Sequence, residues 1–336
     1  MDNNKEFLTY NQQMKKLRGN KKIDCNGSNH KKILIRAGYF NIINGYKNPF
    51  VSGTVDGKHR YIPGTSIDQI YMVKQFDDSL RSFLLKYITQ IEEEIRTLAG
   101  YKFDECNERG TTYWFDTHAY SPRSTLKDKM QVISCAYSEL GKSHLEYVRF
   151  YMDNHKSIPT WIMIKVINFS TFINVLKCCK QEVPHSICKL YDLLDDRNLP
   201  NIKLLIGSLH WMRKIRNSCA HNERIYCLSD IPNTSSGSGR IIEKYFRQLP
   251  NTYCRKPCQK NILDLLVYFK YYLPCKEYEI CINEFNSMLN ALKEQVHSNA
   301  FDYIRGRMGI KNLEHLQLLK NFEKTEINYN KFDTYL

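Results

Sequence analysis

Arg216, Asn217 and His221 are the residues of this chain whose types and spacing could do chemistry. Asn217 and His221 are four apart, so on a helix they share one face a single turn apart. The Arg216 side chain lies beside that face and can reach the same point in space. A guanidinium neutralises charge developing on a phosphate, and a neutral imidazole moves a proton near neutral pH. A phosphodiester needs both. RNA brings its own nucleophile in the 2′-OH, so this set can cleave RNA with no metal, cofactor, serine or cysteine. Arg213, Lys214 and Arg224 flank the three and add charge that can bind phosphate. Spacing alone also fits a plainer reading, a basic helix end whose Arg and His sit at the C-terminal dipole.

The stretch that must position these residues is 204–226, read as one helix with its continuation. Leu205, Leu209 and Met212 recur at i, i+4 and i+7 and give it a stripe to bury. The longest helical pattern lies earlier. It starts at a Thr65 or Ser66 cap with Asp68 in the first turn, follows helical spacing from Ile67 to Leu98, and is expected to end at Gly100. About 34 residues would make a rod of about 50 Å. Two charged pairs interrupt its apolar pattern, Asp77 with Arg81 and Glu92 with Arg96. At i, i+4 spacing they read as solvated surface pairs, or as groups that orient Arg216 and His221. A third segment, 158–180, opens with Pro159 in a first-turn position and is apolar on most faces, which predicts one buried helix. Helical patterns also cover 10–18 (ended by Gly19), 30–37, 125–140, 143–153, 187–194, 262–273 and 278–296. No alternation long enough for a useful strand and no internal repeat is present, so the fold class is all-α.

The aromatic run from Tyr39 through Phe40 to Tyr46 is bounded by Gly38 and Gly45, which suggests tight turns around a short buried piece. Lys31, Lys32 and Arg36 stand just before it. Together with Tyr39 and Tyr46 they could stack and neutralise single-stranded RNA, although core packing is the plainer role for the aromatics. Residues 51–63 read as a polar loop, and 228–260, with its SSGSG run, as the clearest flexible loop. The chain thus divides into 1–63, a helical core at 64–227 carrying the motif, the loop at 228–260, and C-terminal helices at 261–336.

The balance of 49 Lys and Arg against 35 Asp and Glu gives +14, which permits a polyanionic partner such as RNA. No apolar run approaches the ~18 residues a membrane span needs, and the first ten residues are too polar for a signal peptide. The 12 cysteines then read as reduced thiols in a cytoplasmic protein. Cys254 and Cys258 form C-x3-C, and Cys178 and Cys179 are adjacent, but neither is followed by a second pair at zinc-ligand spacing.

Several landmarks, in order, resemble the Abi-like (AbiD/AbiF) family of phage-resistance proteins: LTYNQQMKKLRGNKKI, GYFNIINGYKNPF, GTSIDQIYMVKQFDDSLRSFLLKYITQIEEEIR, IPTWIMIKVINFSTF, RNSCAHNERIY and a late MGI. The segment R-N-x-x-A-H resembles the HEPN ribonuclease motif. The resemblance implies a HEPN-like helical bundle with added N- and C-terminal helices, a role in abortive infection, and Arg216 and His221 as catalytic pair with Asn217 as polar neighbour. It further implies association with a small structured non-coding RNA. HEPN sites are typically composite, and the chain carries a single R-x4-H, so a homodimer is expected. Two positions depart from the family pattern. Lys165 stands four residues after Trp161, where the family often has Glu, and the tail lacks the Pro and Trp expected after its MG pair. Two other function classes use the same basic face: a non-catalytic RNA-binding protein, and an all-α regulator that contacts another protein.

Overall fold

The computed structural model describes residues 7–107, 113–229, 245, 248–249 and 260–334. The chain opens with α1, Tyr10–Lys21, and α2, Gly27–Ala37. A π-helical turn, Phe40–Asn44, follows and buries Ile42 and Ile43. Where a loop is expected from the sequence, residues 51–61 form a hairpin of β1, Val51–Val55, and β2, Lys58–Tyr61, paired antiparallel. Its turn is Asp56-Gly57, with φ of 49° and 71°, the left-handed pair that a two-residue hairpin turn requires. The strands are almost wholly exposed, so they never show the apolar alternation that would have announced them.

The organising element is α3, Ile67–Cys106, 40 residues and about 60 Å long. Ser66 accepts the Gln69 N–H and the Gln69 side chain accepts the Ser66 N–H, a reciprocal cap that starts the helix cleanly. Gly100 does not end it. A Cβ there would sit 3.3 Å from Ile164 Cγ2, so the glycine serves close helix packing instead. Then come α4, Leu126–Gly141; α5, Glu146–Asn154; α6, Thr160–Val166; α7, Phe169–Cys178; α8, Glu182–Leu190; and α9, Ile202–Ala220. After the segment around 228–260, most of which lies outside the described residues along with Cys254 and Cys258, come α10, Ile262–Tyr272; α11, Cys275–Gln295; α12, Ser298–Arg307; and α13, Glu314–Asn321. The all-α expectation holds, with the small hairpin as its one exception among the described residues.

The segment 158–180 is two helices, not one. Asn168 accepts the Thr171 N–H at 3.0 Å and starts α7 afresh. Glu139 on α4 braces the break by accepting from the Asn168 amide group at 2.6 Å and the Thr171 hydroxyl at 2.6 Å. Helix α3 packs against α6, α8, α9 and α11, and the apolar stripe of α9 closes the core, with Leu205, Leu209 and Met212 each 0% exposed. Among the described residues, no helix is long and apolar enough to cross a membrane.

Candidate active site

Helix α9 delivers the motif at its C-terminal end, and α3 fixes that end at two places. The first is a buried carboxylate. Glu92 accepts from Arg96 Nε at 3.0 Å and Nη2 at 2.7 Å, both through Oε1. The third nitrogen, Arg96 Nη1, donates to the carbonyls of Ile164 at 2.5 Å and Ile167 at 2.9 Å. Those carbonyls are free because the helix breaks at Ile167–Asn168 and no downstream N–H returns to them. The guanidinium also lies 4.8 Å over the Phe172 ring. Burial pulls the Arg96 pKa below its usual value, against the opposing pull of Glu92. The other oxygen, Glu92 Oε2, is buried and accepts no hydrogen bond. Arg216 Nε faces it at 3.8 Å with the Arg216 side chain 39% exposed, and Arg216 Nη1 reaches Asn217 Oδ1 at 3.5 Å. Arg216 therefore leans on an anion while its far side stays open.

The second fixing point lies after the helix. His221 caps α9, its N–H donating to the Asn217 carbonyl at 2.9 Å, and Asn222 turns the chain back with a φ of 57°. The returning segment is then held by Asp77, whose side chain is 0% exposed. Asp77 accepts the Ile225 N–H at 3.1 Å, the Tyr226 N–H at 2.9 Å, the Tyr46 hydroxyl at 3.0 Å and Arg81 Nη1 at 2.9 Å. Arg81 Nη1 also donates to the Glu223 carbonyl at 2.9 Å, and its Nη2 pairs with Asp78. Burial pushes the Asp77 carboxyl above the usual range, opposed by the Tyr226 amide and Arg81. Neither charged pair of α3 is the solvated surface pair that the spacing suggests. The His221 ring itself is exposed and, among the described residues, makes no side-chain hydrogen bond or ion pair.

The other residues singled out from the sequence are scattered. Tyr46 is 5% exposed with its hydroxyl on Asp77, so its ring is not available to stack on a base. That corrects its reading as an RNA contact. Tyr39 is half-buried against the core. Lys32 and Arg36 are exposed on α2, and Lys31 is half-buried there. Arg224 donates to the Gly45 carbonyl at 2.6 Å and so ties the returning segment to the π-helical turn. Lys214 Nζ lies 5.8 Å from the Trp211 ring, and Arg213 has a buried Nε without a hydrogen-bond partner.

Sequence reasoning missed the surroundings of Arg216. A cleft of about 440 Å³ opens beside it, lined by Thr89, Glu92, Trp161, Ile164, Lys165 and Arg216 among others. Trp161 is 54% exposed, although its segment reads as buried, because α6 is a short helix that buries Thr160, Ile162, Met163 and Ile164 and leaves Trp161 and Lys165, one turn apart, on its outer face. Among the described residues, no group of three or more His, Cys, Asp or Glu side chains could hold a metal ion.

A family model described as Abi-like protein matches residues 32–227, more than half of the chain. The chain belongs to the Abi-like family. Membership supports a role in abortive infection, a form of phage defence. The matched region holds both fixing points of α3, the α6–α7 break and the whole of the motif, so the site described above lies inside the part that defines the family. No curated protein and no solved structure matches the chain.

Proposed function

We propose that this Abi-like protein is a metal-independent endoribonuclease of the HEPN type, and that Arg216, Asn217 and His221 form its active site. What carries the reading is the display of Arg216 and His221 from one helix end, Arg216 leaning on Glu92 at an open cleft and His221 exposed just beyond it. His221 removes the 2′-OH proton or protonates the leaving 5′-oxygen, Arg216 neutralises the scissile phosphate, and Asn217 positions one of them. The products carry a 2′,3′-cyclic phosphate and a 5′-OH. Cleavage moves two protons and the chain offers one motif histidine, so two copies pairing their α9 ends would complete the site. In the cell, cleavage of host or phage RNA would arrest growth during infection, with a small structured non-coding RNA as a further binding partner.

The test is cleavage of labelled single-stranded RNA in EDTA. Wild type should cut and leave cyclic-phosphate ends, while His221→Ala should lose about 100- to 10,000-fold in rate and keep its melting temperature, because the ring is exposed. Equal cleavage by wild type and by the Arg216→Ala and His221→Ala variants would overturn the assignment. RNA binding without cleavage is the second reading. One observation favours it: no side chain among the described residues holds the His221 ring in a set orientation. A discrete RNA that co-purifies with wild type and His221→Ala alike, uncut by either, would decide for it.

A further inference from the structure

We propose that the cleft beside Arg216 is a guanine-binding pocket that selects where the RNA is cut, an inference that rests on the ribonuclease reading for its consequence but not for its chemistry. Glu92, 7% exposed, lines the cleft, and its buried Oε2 accepts no hydrogen bond, with Arg216 Nε facing it at 3.8 Å. A buried carboxylate oxygen with a 3.8 Å ion-pair contact but no hydrogen bond is incompletely compensated, and a ligand N–H that meets it recovers part of that cost on binding. Trp161, 54% exposed, offers a flat aromatic face on the same cleft, and Lys165 adds a cation beside it. A volume of about 440 Å³ lies in the range of small-ligand sites. An aromatic plate, an acceptor and a donor around one cleft are what an unstacked base requires.

The chemistry selects among the four bases. Guanine carries two adjacent donors, N1–H and N2–H, next to one acceptor, O6. Arg96 occupies Glu92 Oε1, so the two donors converge on Oε2, while O6 meets the Lys165 ammonium and the ring lies on Trp161. Uracil flanks its one donor with two carbonyl oxygens, at least one of which would face the carboxylate. Adenine and cytosine place a ring-nitrogen acceptor beside their amino group, and the carboxylate repels it. The lysine matters here. A Glu at position 165, as the family pattern leads one to expect, would repel O6 and remove the preference.

The experiment reads binding apart from cleavage. Of the three tryptophans, Trp114 and Trp211 are each 1% exposed, so quenching by added nucleotide reports on Trp161. His221→Ala protein, which leaves the cleft intact, would be titrated in EDTA with GMP, AMP, CMP and UMP. GMP should quench saturably and bind roughly 5- to 150-fold more tightly than the other three, the discrimination expected of one well-made base pairing. Trp161→Ala, followed by calorimetry, should weaken all four by a similar factor. Lys165→Glu, on an exposed position that threatens no packing, should abolish the preference, and Glu92→Gln should do the same if it folds. Equal affinity for all four nucleotides, tightest binding of another base, or a GMP preference that survives Lys165→Glu would overturn the pocket. Wild-type cleavage then separates the two proposals. Guanine binding without cleavage keeps the pocket and removes the nuclease, whereas cleavage with no guanine beside the cut sites keeps the nuclease and removes the pocket.

Discussion

Replacing Asp77 by alanine should be among the most damaging single changes available near the site. The carboxylate is fully buried and holds four groups at once: the Ile225 and Tyr226 amides, the Tyr46 hydroxyl and Arg81. Breaking a buried ion pair by removing one partner costs about 3–5 kcal/mol. Arg81 keeps Asp78 and the Glu223 carbonyl, which argues for the lower half of that range. Two orphaned amides and a hydroxyl push the other way, each worth about 1–3 kcal/mol alone but strongly coupled here. The expected loss is therefore about 4 kcal/mol, or a fall in melting temperature of about 6 °C for a chain of this size. Asp78→Ala is the internal control. That side chain is 42% exposed, so its pair with Arg81 should be worth less than about 1 kcal/mol. Thermal unfolding of both variants, followed by circular dichroism, makes the comparison. Equal, small shifts for Asp77→Ala and Asp78→Ala would refute the view that Asp77 anchors the segment after His221.

Two further outcomes follow from the same contacts. His210 accepts from Lys177 Nζ at 2.8 Å, and burial, with Lys177, Arg213 and Lys260 nearby, holds its pKa down to about 4. The unfolded chain takes up this proton near pH 6.5 and the folded chain only near 4, so stability present above pH 6.5 drains away as pH falls through that window, by about 1–2 kcal/mol after allowance for solvent screening. Denaturant melts of wild type and His210→Asn across pH 4 to 7 should converge at the acid end, and parallel curves would refute it. Asn168→Ala removes the cap of α7 and the partner of Glu139, and urea titration should show a loss of about 1–2 kcal/mol, while a neutral result would mean that the α6–α7 break is set by something other than this cap.

The parts of the fold that local chemistry dictates were readable in the sequence. The Ser66 cap, the stripe of Leu205, Leu209 and Met212, and the existence of nearly every helix follow from spacing and from turn residues. The misreadings share a cause. Gly100 resembles a stop until its contact with Ile164 is known, and Asn168 is hidden in a run so apolar that no face is left to show a phase change. The Asp56-Gly57 hairpin escapes notice because its strands, Val51 and Tyr61 apart, are solvated on both faces. At the site, residue types pointed to Arg216, Asn217 and His221, and the pairs Asp77–Arg81 and Glu92–Arg96 were visible as i, i+4 matches. Their partners were not. Nothing in a one-dimensional pattern says that Glu92 keeps one oxygen for Arg216, or that Trp161 faces out beside it.

Helix α3 meets the end of α9 at two stations, Glu92 against Arg216 and Asp77 against the segment beyond His221. The stations are 15 residues apart on one rigid rod, about 22 Å. That makes α3 a ruler. A single inserted residue between Arg81 and Glu92 would lengthen it by only about 1.5 Å but rotate the second station by about 100° relative to the first. Both stations could no longer face α9 together. Length variation among relatives should therefore be tolerated in the hairpin at 51–61 and forbidden within 77–92, even where every inserted residue is a good helix former.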